Sequence, residues 1–459
     1  MNTRSRPSRR GLNRSALAGL FGGLLIFSAC TSETEAVAAP PPPPVPVPGV
    51  RAFPGAVGFG AAARGGRGGA VMIVNSLADS GPGTLRACIQ AAVPRVCVFQ
   101  VAGVIRFATP AHVRNPYLTI AGQTAPGGGI TLAHAGGLRG RTPLVIKGTS
   151  DIVVRHIRIR TDLVGGNREG EDGITIENSN NVIIDHVSVT WARDELINGY
   201  GDNDRITVSN SIFAEGIPRH DKCALLASDP IDAQRFSFIN NLCAHNGDRN
   251  PDVKFPAGSC VEVVNNIFYN AQSQFTEVWE NFGPTPVSVV GNTYRAGPNT
   301  NTNTTGIARN TLGSLGQALI YLWDNQFQGN FIPVAPEVQP AIVGQPPCPL
   351  TVPAVPAATA FNVVLRSAGA LPRDIVDLRL VQETAAQRGA LVFGPGIIPP
   401  IARGTPYPDV DRDGMDDRWE PNNGAIVGTA DPWADGDRDG APNLDEFLDY
   451  AHRRLMAAI

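Results

Sequence analysis

The sequence has no apolar run long enough to cross a bilayer: Ala16–Phe27 stops well short of the roughly 20 residues that a spanning helix needs. Charge is scarce as well. Asp, Glu, Lys and Arg make up 17% of 459 residues, and the net charge is −3. A chain without a basic excess offers nucleic acid no electrostatic footing. What the chain does carry is 50 glycines and 39 prolines. That is the composition of a turn-rich β protein, not of a helical one. The length suits a solenoid with appendages better than one ordinary compact domain.

The N-terminus reads as an export signal over residues 1–29. Arg4, Arg6, Arg9, Arg10 and Arg14 precede Ala16–Phe27, and Ser28-Ala29 leads into Cys30. The pattern resembles a bacterial lipoprotein signal with Cys30 as the acylated residue, although Phe27 stands where such signals prefer Leu. Plain cleavage without acylation is the alternative. Thr31 lacks the aspartate associated with inner-membrane retention. The expected product is a secreted or outer-membrane, cell-surface lipoprotein of a bacterium, touching membrane only through its lipid. Residues 30–50 form a linker whose stretch Ala39–Pro48 is nearly all proline, a semi-rigid spacer. Six further cysteines, Cys88, Cys97, Cys223, Cys243, Cys260 and Cys348, allow three disulfides in an exported chain. Cys88–Cys97 closes a short loop and is the leading pair; the other four are disulfides or free buried thiols.

Six segments share one pattern. They begin at Ile152, Val182, Ile206, Phe236, Val261 and Val287, spaced 30, 24, 30, 25 and 26 residues apart. Each is a β-branched run broken at its fifth position by His156, His186, Asn210, Asn240, Asn265 or Gly291. A period in this range marks stacked supersecondary units. His, Asn and Gly at a fixed break point suit a left-handed bend, so His156 and His186 read as turn residues, and the asparagines are placed to ladder between coils. A second short strand follows each run, at Ile174–Glu177, Glu195–Asn198, Cys223–Ala227 and Asp252–Phe255. The period is too short for propeller blades, and two or three strands per coil is the geometry of a parallel β-helix.

Asp172, Asp194, Lys222 and Arg249 stand just before those second strands, on consecutive coils. Stacking puts them in one line within about 15 Å, three rungs of roughly 4.8 Å. Two acids followed by two bases make a site for a polyanionic chain bridged by a metal. Asn198 adds an oxygen near Asp194, and oxygen donors suit Ca²⁺. Alternation along the strand points Glu195 away from Asp194.

Several stretches resemble the pectate lyases of the first polysaccharide lyase family. They are Phe53-Pro-Gly-Ala-Val-Gly-Phe-Gly, Gly65-Gly-Arg-Gly-Gly, Leu77-Ala-Asp-Ser-Gly-Pro-Gly-Thr-Leu-Arg, Thr119-Ile-Ala-Gly-Gln-Thr-Ala-Pro-Gly, Val182-Ile-Ile-Asp-His and Ile206-Thr-Val-Ser-Asn-Ser. The resemblance covers roughly residues 52–300 and implies an all-β fold, a right-handed parallel β-helix. It implies calcium binding by Asp172 and by Asp194 with Asn198, where Asn198 replaces the second Asp of the family motif. His220-Asp-Lys222 resembles the segment whose lysine contacts substrate. Arg249-Asn-Pro-Asp-Val-Lys254 resembles the segment whose first arginine is the Brønsted base, with Lys254 in place of a substrate-binding arginine. Lys keeps the charge but loses the bidentate fork. The implied reaction is calcium-assisted β-elimination from 4-linked galacturonan, with an alkaline optimum. Arginine is always protonated in ordinary surroundings, so its role as base comes from the resemblance alone. The alternatives are a lyase on another uronan or on methylated pectin, and a non-catalytic glycan-binding lipoprotein on the same scaffold.

Residues 401–459 hold 13 acids against 6 Lys and Arg, a net −7. Asp409, Asp411, Asp413, Asp417 and Glu420 occupy positions 1, 3, 5, 9 and 12 of an EF-hand loop, with Gly414 at 6. Asp435, Asp437, Asp439, Asn443 and Glu446 repeat the spacing 26 residues later, around Gly440. Two complete matches in tandem predict a small calcium-binding tail with a structural role. Between residues 51–300 and this tail, residues 301–400 read as irregular structure packed on the solenoid, with helical spacing over Asp374–Arg388 as a cap. The whole is expected to be a monomer whose partner is an acidic polysaccharide.

Overall fold

Residues that alternate between β-branched and polar types have one face to bury, and stacking coil on coil buries it continuously. Val182, Ile184, Val187 and Val189 of one coil lie over Ile152, Val154, Ile157 and Ile159 of the coil before, all within 1% of complete burial. Each such side chain contributes about 1.5–3 kcal/mol. In this computed structural model, which describes residues 40–41, 49–136, 142–162 and 170–459, the result is a parallel β-helix. Its first sheet has ten strands, from Ala70–Val74 to Leu319–Trp323. The second has nine, from Ala111–Val113 to Ile332–Val334. The third also has nine, from Gly103–Phe107 to Gln326–Gln328.

The repeat read from the sequence is the first sheet followed by the third. Ile152, Val182, Ile206, Phe236, Val261 and Val287 are successive partners in register. The fifth-position column bends the chain from one sheet to the next. His156, His186, Asn210, Asn240, Asn265 and Gly291 all have positive φ, between 50° and 63°. The asparagine ladder sits one residue later than expected. Asn241, Asn266, Asn292 and Asn325 each accept at Oδ1 from a backbone N–H of the preceding coil, at 2.8–3.1 Å. The residue after the bend turns inward, where a side-chain amide meets backbone groups that no strand pairs.

Helix α1 (Leu85–Gln90) closes the N-terminal end, inserting Leu85 and Ile89 into the core. A 3-10 turn at Pro336–Ala341 closes the other end with Val338 and Ala341. Strands continue to Ile332–Val334, so the solenoid runs past residue 300, where irregular structure was expected. The helical spacing near residue 380 is real but does not cap. Helices α2 (Ala357–Ser367) and α3 (Ile375–Ala386) lie along the flank of the third sheet. There Val364 and Leu380 cover Ile212, Leu242 and Ile267. Arg160, fully buried, holds α3 by its Nη2 at 2.7 Å from Asp377 and 3.0 Å from Asp374. The last helix, α4 (Asn443–Met456), returns to the other end of the molecule. Leu444, Phe447 and Leu448 pack with Met415 and Trp419 on Val96, Val98 and Ala121 of the first sheet. The six cysteines among the described residues all pair, as Cys88–Cys97, Cys223–Cys243 and Cys260–Cys348. Among the described residues no helix is long and apolar enough to cross a membrane.

Candidate active-site groove

Over four successive coils a charged residue stands at the entry to the second sheet. Gly173 N–H donates to the Glu195 carbonyl, Glu195 pairs with Lys222, and Lys222 bridges to Asp248. The column in register is therefore Asp172, Glu195, Lys222 and the Asp248-Arg249 step. Asp194 lies one residue ahead of its strand, in a bend. Alternation does not reach back across that bend, so the expectation that Glu195 points away from Asp194 is wrong. One carboxylate oxygen from each of Asp172, Asp194 and Glu195 lies within 4.8 Å of the others.

The surroundings of this trio are polar but thinly satisfied. Thr175 Oγ1 donates to Asp172 Oδ2 at 2.6 Å, and Asn198 Nδ2 contacts the same oxygen at 3.4 Å. The Asn198 Oδ1 is buried without a hydrogen-bond partner. Burial first, then Glu195 and Asp194, hold the Asp172 carboxyl well above the usual range. Burial and Asp194 push Glu195 up to about 7. Three crowded carboxyls with an orphaned amide oxygen beside them are short of one positive charge. The donor set is all oxygen, which fits Ca²⁺.

The basic half is already engaged. Lys222 Nζ donates to both oxygens of Asp248, at 2.6 Å each. Arg249, with φ 51°, turns its guanidinium back along the groove to Glu195, and its Nε lies 3.4 Å from Asp252. Burial lowers the Arg249 pKa, but Asp252, Glu195 and Asp248 outweigh it and raise it overall. Asp252 is fully buried, and burial pushes it up to about 7. Lys254 Nζ lies 5.9 Å from the centre of the Trp279 ring and 5.8 Å from that of Phe282. His220 Nδ1 is 3.4 Å from Asp194 Oδ1.

Sequence reasoning missed Glu195, Asp248 and Asp252. Counting register from Lys222 back through its partner strand finds Glu195. Asp248 and Asp252 gave no such signal, because acids flanking a loop arginine are common.

This geometry occurs in a chain with named relatives. A family model for pectate lyases matches residues 124–281. Probable pectate lyase C of Neosartorya fischeri is 35% identical over 404 residues, 83% of this chain and 89% of the relative. The chain belongs to the pectate lyase family. Its counterpart in Aspergillus fumigatus is 34% identical over the same shares. The pectate lyase β-helix also resembles the fold of the cedar-pollen major allergen jun a 1, with TM-score 0.53 and 20% identity over 69% of this chain and 93% of that one. These curated relatives are fungal, so they lend no support to a bacterial source. The signal expected over residues 1–29 and the acylation expected at Cys30 fall outside the described residues.

The tail brings its acids together in two clusters: Asp409 with Asp411 and Asp413, and Asp435 with Asp437 and Asp439. The loops are near copies. Asp409 accepts from the N–H groups of Asp413 (3.1 Å) and Gly414 (3.2 Å). Asp435 accepts from Asp439 and Gly440 at 3.1 Å each. Glu420 is fully buried with neither carboxylate oxygen hydrogen-bonded, and Glu446 Oε2 is likewise buried and unpartnered. Asp417 and Asn443 instead each give an oxygen to a backbone N–H of their own loop, at 3.0 Å. Asp431, which the loop template does not include, gathers with Asp413 and Glu420.

Proposed function

We propose that this polysaccharide lyase cleaves 4-linked galacturonan by β-elimination, with Arg249 as base and Ca²⁺ held by Asp172, Asp194, Glu195 and Asn198. The observation that carries the reading is the trio of carboxylates gathered on the same edge of the second sheet as Lys222 and Arg249, in a chain of this family. The C5 proton of a uronate is weakly acidic because its removal puts charge on the neighbouring carboxylate. A Ca²⁺ bound beside that carboxylate supplies Lewis-acid neutralisation of the developing charge. Lys222, fixed by Asp248, presents a second cation to the same anion. Lys254, over Trp279 and Phe282, gives the polymer a further charge contact away from the reacting sugar.

Arg249 is the residue in reach of the groove that is held by an acid of its own coil, Asp252, and by one from two coils before, Glu195. Glu195 and Asp252 orient its guanidinium and also favour its charged form, which works against a base. Glu195 is shared between Arg249 and the carboxylate trio. Glu195 is itself a member of that trio, so a cation held there would compete with Arg249 for the Glu195 carboxylate and would favour the neutral guanidinium. A base must lie within hydrogen-bond reach of its proton, and the positive φ at Arg249 aims it along the groove.

The tail serves a different purpose in this account. Asp409, Asp411, Asp413 and Glu420 bind one calcium ion, and Asp435, Asp437, Asp439 and Glu446 a second, fixing Met415, Trp419 and α4 against the first sheet. Three disulfides suit export to an oxidising compartment. Acylation of Cys30 is the finer reading of residues 1–30, and the mass of the mature N-terminus tests it.

The direct test incubates the protein with polygalacturonate and follows ultraviolet absorbance from unsaturated products. Absorbance should grow with calcium and stay flat with a chelator. Retention of polymer without unsaturated products would make the protein a binder.

A further inference from the structure

His156 and His186 do more than turn the chain. Their rings stack across neighbouring coils with centroids 5.0 Å apart. From outside the solenoid α4 brings His452 against both, at centroid distances of 5.2 Å and 5.1 Å. His156 Nε2 lies 2.9 Å from His452 Nδ1. One ring nitrogen from each of the three lies within 4.8 Å of the others. His156 is fully buried and His186 is 4% exposed.

The hydrogen bonds say which nitrogens are free. His186 Nδ1 lies 2.8 Å from Asp185 Oδ2. A carboxylate there keeps the proton on Nδ1 and leaves a lone pair on Nε2. That Nε2 is buried and has no hydrogen-bond partner among the described residues. An acceptor turned into a pocket of two other imidazoles, with no donor offered to it, points to a cation as the missing partner.

We propose that His156, His186 and His452 form a transition-metal site, with Zn²⁺ the best fit, that fastens α4 to the solenoid. Three neutral imidazoles suit Zn²⁺, Cu²⁺ or Ni²⁺ and are the wrong donors for Ca²⁺. Asp185 stands behind His186 as the carboxylate that orients a metal-binding histidine. It is itself fixed by Arg155 (3.0 Å), Ser209 (2.9 Å) and Asn210 (2.8 Å). The charged groups nearby are paired: Arg155 with Asp185, and on α4 Arg453 with Asp449 at 2.9 Å. One rearrangement is required. Leu371 N–H donates to His156 Nδ1 at 3.2 Å, which places the His156 proton on Nε2. Loading moves that proton to Nδ1 and releases the Leu371 contact. The lyase groove uses none of these residues.

The test uses the full mature chain stripped of transition metals and held in saturating calcium, which fills the oxygen-lined loops. Titration with Co²⁺ should give one equivalent of strong visible absorption, abolished by Zn²⁺. Cu²⁺ loading should show nitrogen hyperfine coupling in electron paramagnetic resonance, a readout that needs no variant. His452→Gln and His186→Gln should lose the cobalt band and bind at least tenfold more weakly. Their circular dichroism and calcium-dependent activity on polygalacturonate should stay unchanged. Zinc should raise the melting temperature of the wild type and not of His452→Gln. An absent cobalt band in the wild type would overturn the site. So would equal cobalt uptake by His452→Gln, or copper coupled to no nitrogen.

Discussion

The chain holds two sets of acids that answer differently to their own charge. In the groove, Glu195 and Asp248 are already joined to Arg249 and Lys222, so the site is half neutralised before any ion arrives. In the tail, the carboxylates of Asp435, Asp437 and Asp439 have only backbone N–H groups of their own loop to lean on, and Glu420 has neither oxygen bonded. On the proposed function, a site whose acids are shared with catalytic cations is expected to bind calcium weakly and to respond to substrate, which brings its own carboxylate. A loop whose acids are unshared binds calcium for its own stability. On the proposed function, one metal serves a working site and a structural one in the same chain.

The comparison can be broken from either side. Among the acids, Glu195→Gln should have the largest effect, lowering kcat on polygalacturonate by at least about 100-fold, since a proposed metal ligand should matter no less than the groups that orient one, while leaving calcium-dependent melting intact. Glu420→Gln should do the reverse. Kinetics should hold, and the calcium-dependent gain in stability should fall by about 2 kcal/mol, near what a well-populated ligand contributes. Differential scanning calorimetry with and without calcium reads both.

The third way is pH. Glu195 and Asp252 rise to about 7 in the folded, metal-free chain. The folded state then binds more protons than the unfolded one between the ordinary carboxyl range and that value. Their contribution is therefore complete at acid pH and lost as pH rises through about 7. Urea melts in chelator should show declining stability from pH 5 to pH 8, with calcium flattening the slope. The smallest effect is expected at the groove's edge. Lys254→Arg restores a bidentate donor and should lower KM about threefold, with kcat unchanged, in line with the modest surplus of a forked contact.

How much of this was legible in sequence differs between the same two regions. In the tail the first three acids of each loop gather where the spacing put them, Asp409 with Asp411 and Asp413 and Asp435 with Asp437 and Asp439, because such a loop is local. Asp431 was invisible there, since it comes from outside the loop. The solenoid was legible through its period, and the bend column of His156, His186, Asn210, Asn240, Asn265 and Gly291 matched the left-handed positions one for one. The groove was legible only as a line of charges. Which acid took which place depended on a bend ahead of Glu195 that no alternation rule crosses. His452 was beyond reach, because nothing local tells a terminal helix where on a solenoid it will land.

The central claim is that Arg249 removes the proton while the acids hold the metal. It is tested by comparing Arg249→Ala with wild type in two measurements on one sample: unsaturated-product formation from polygalacturonate, and calcium binding by isothermal titration. The account predicts a fall in kcat of about 10²–10⁴-fold, the usual worth of a positioned base, with calcium still bound by both the groove and the tail. Undiminished product formation would contradict it.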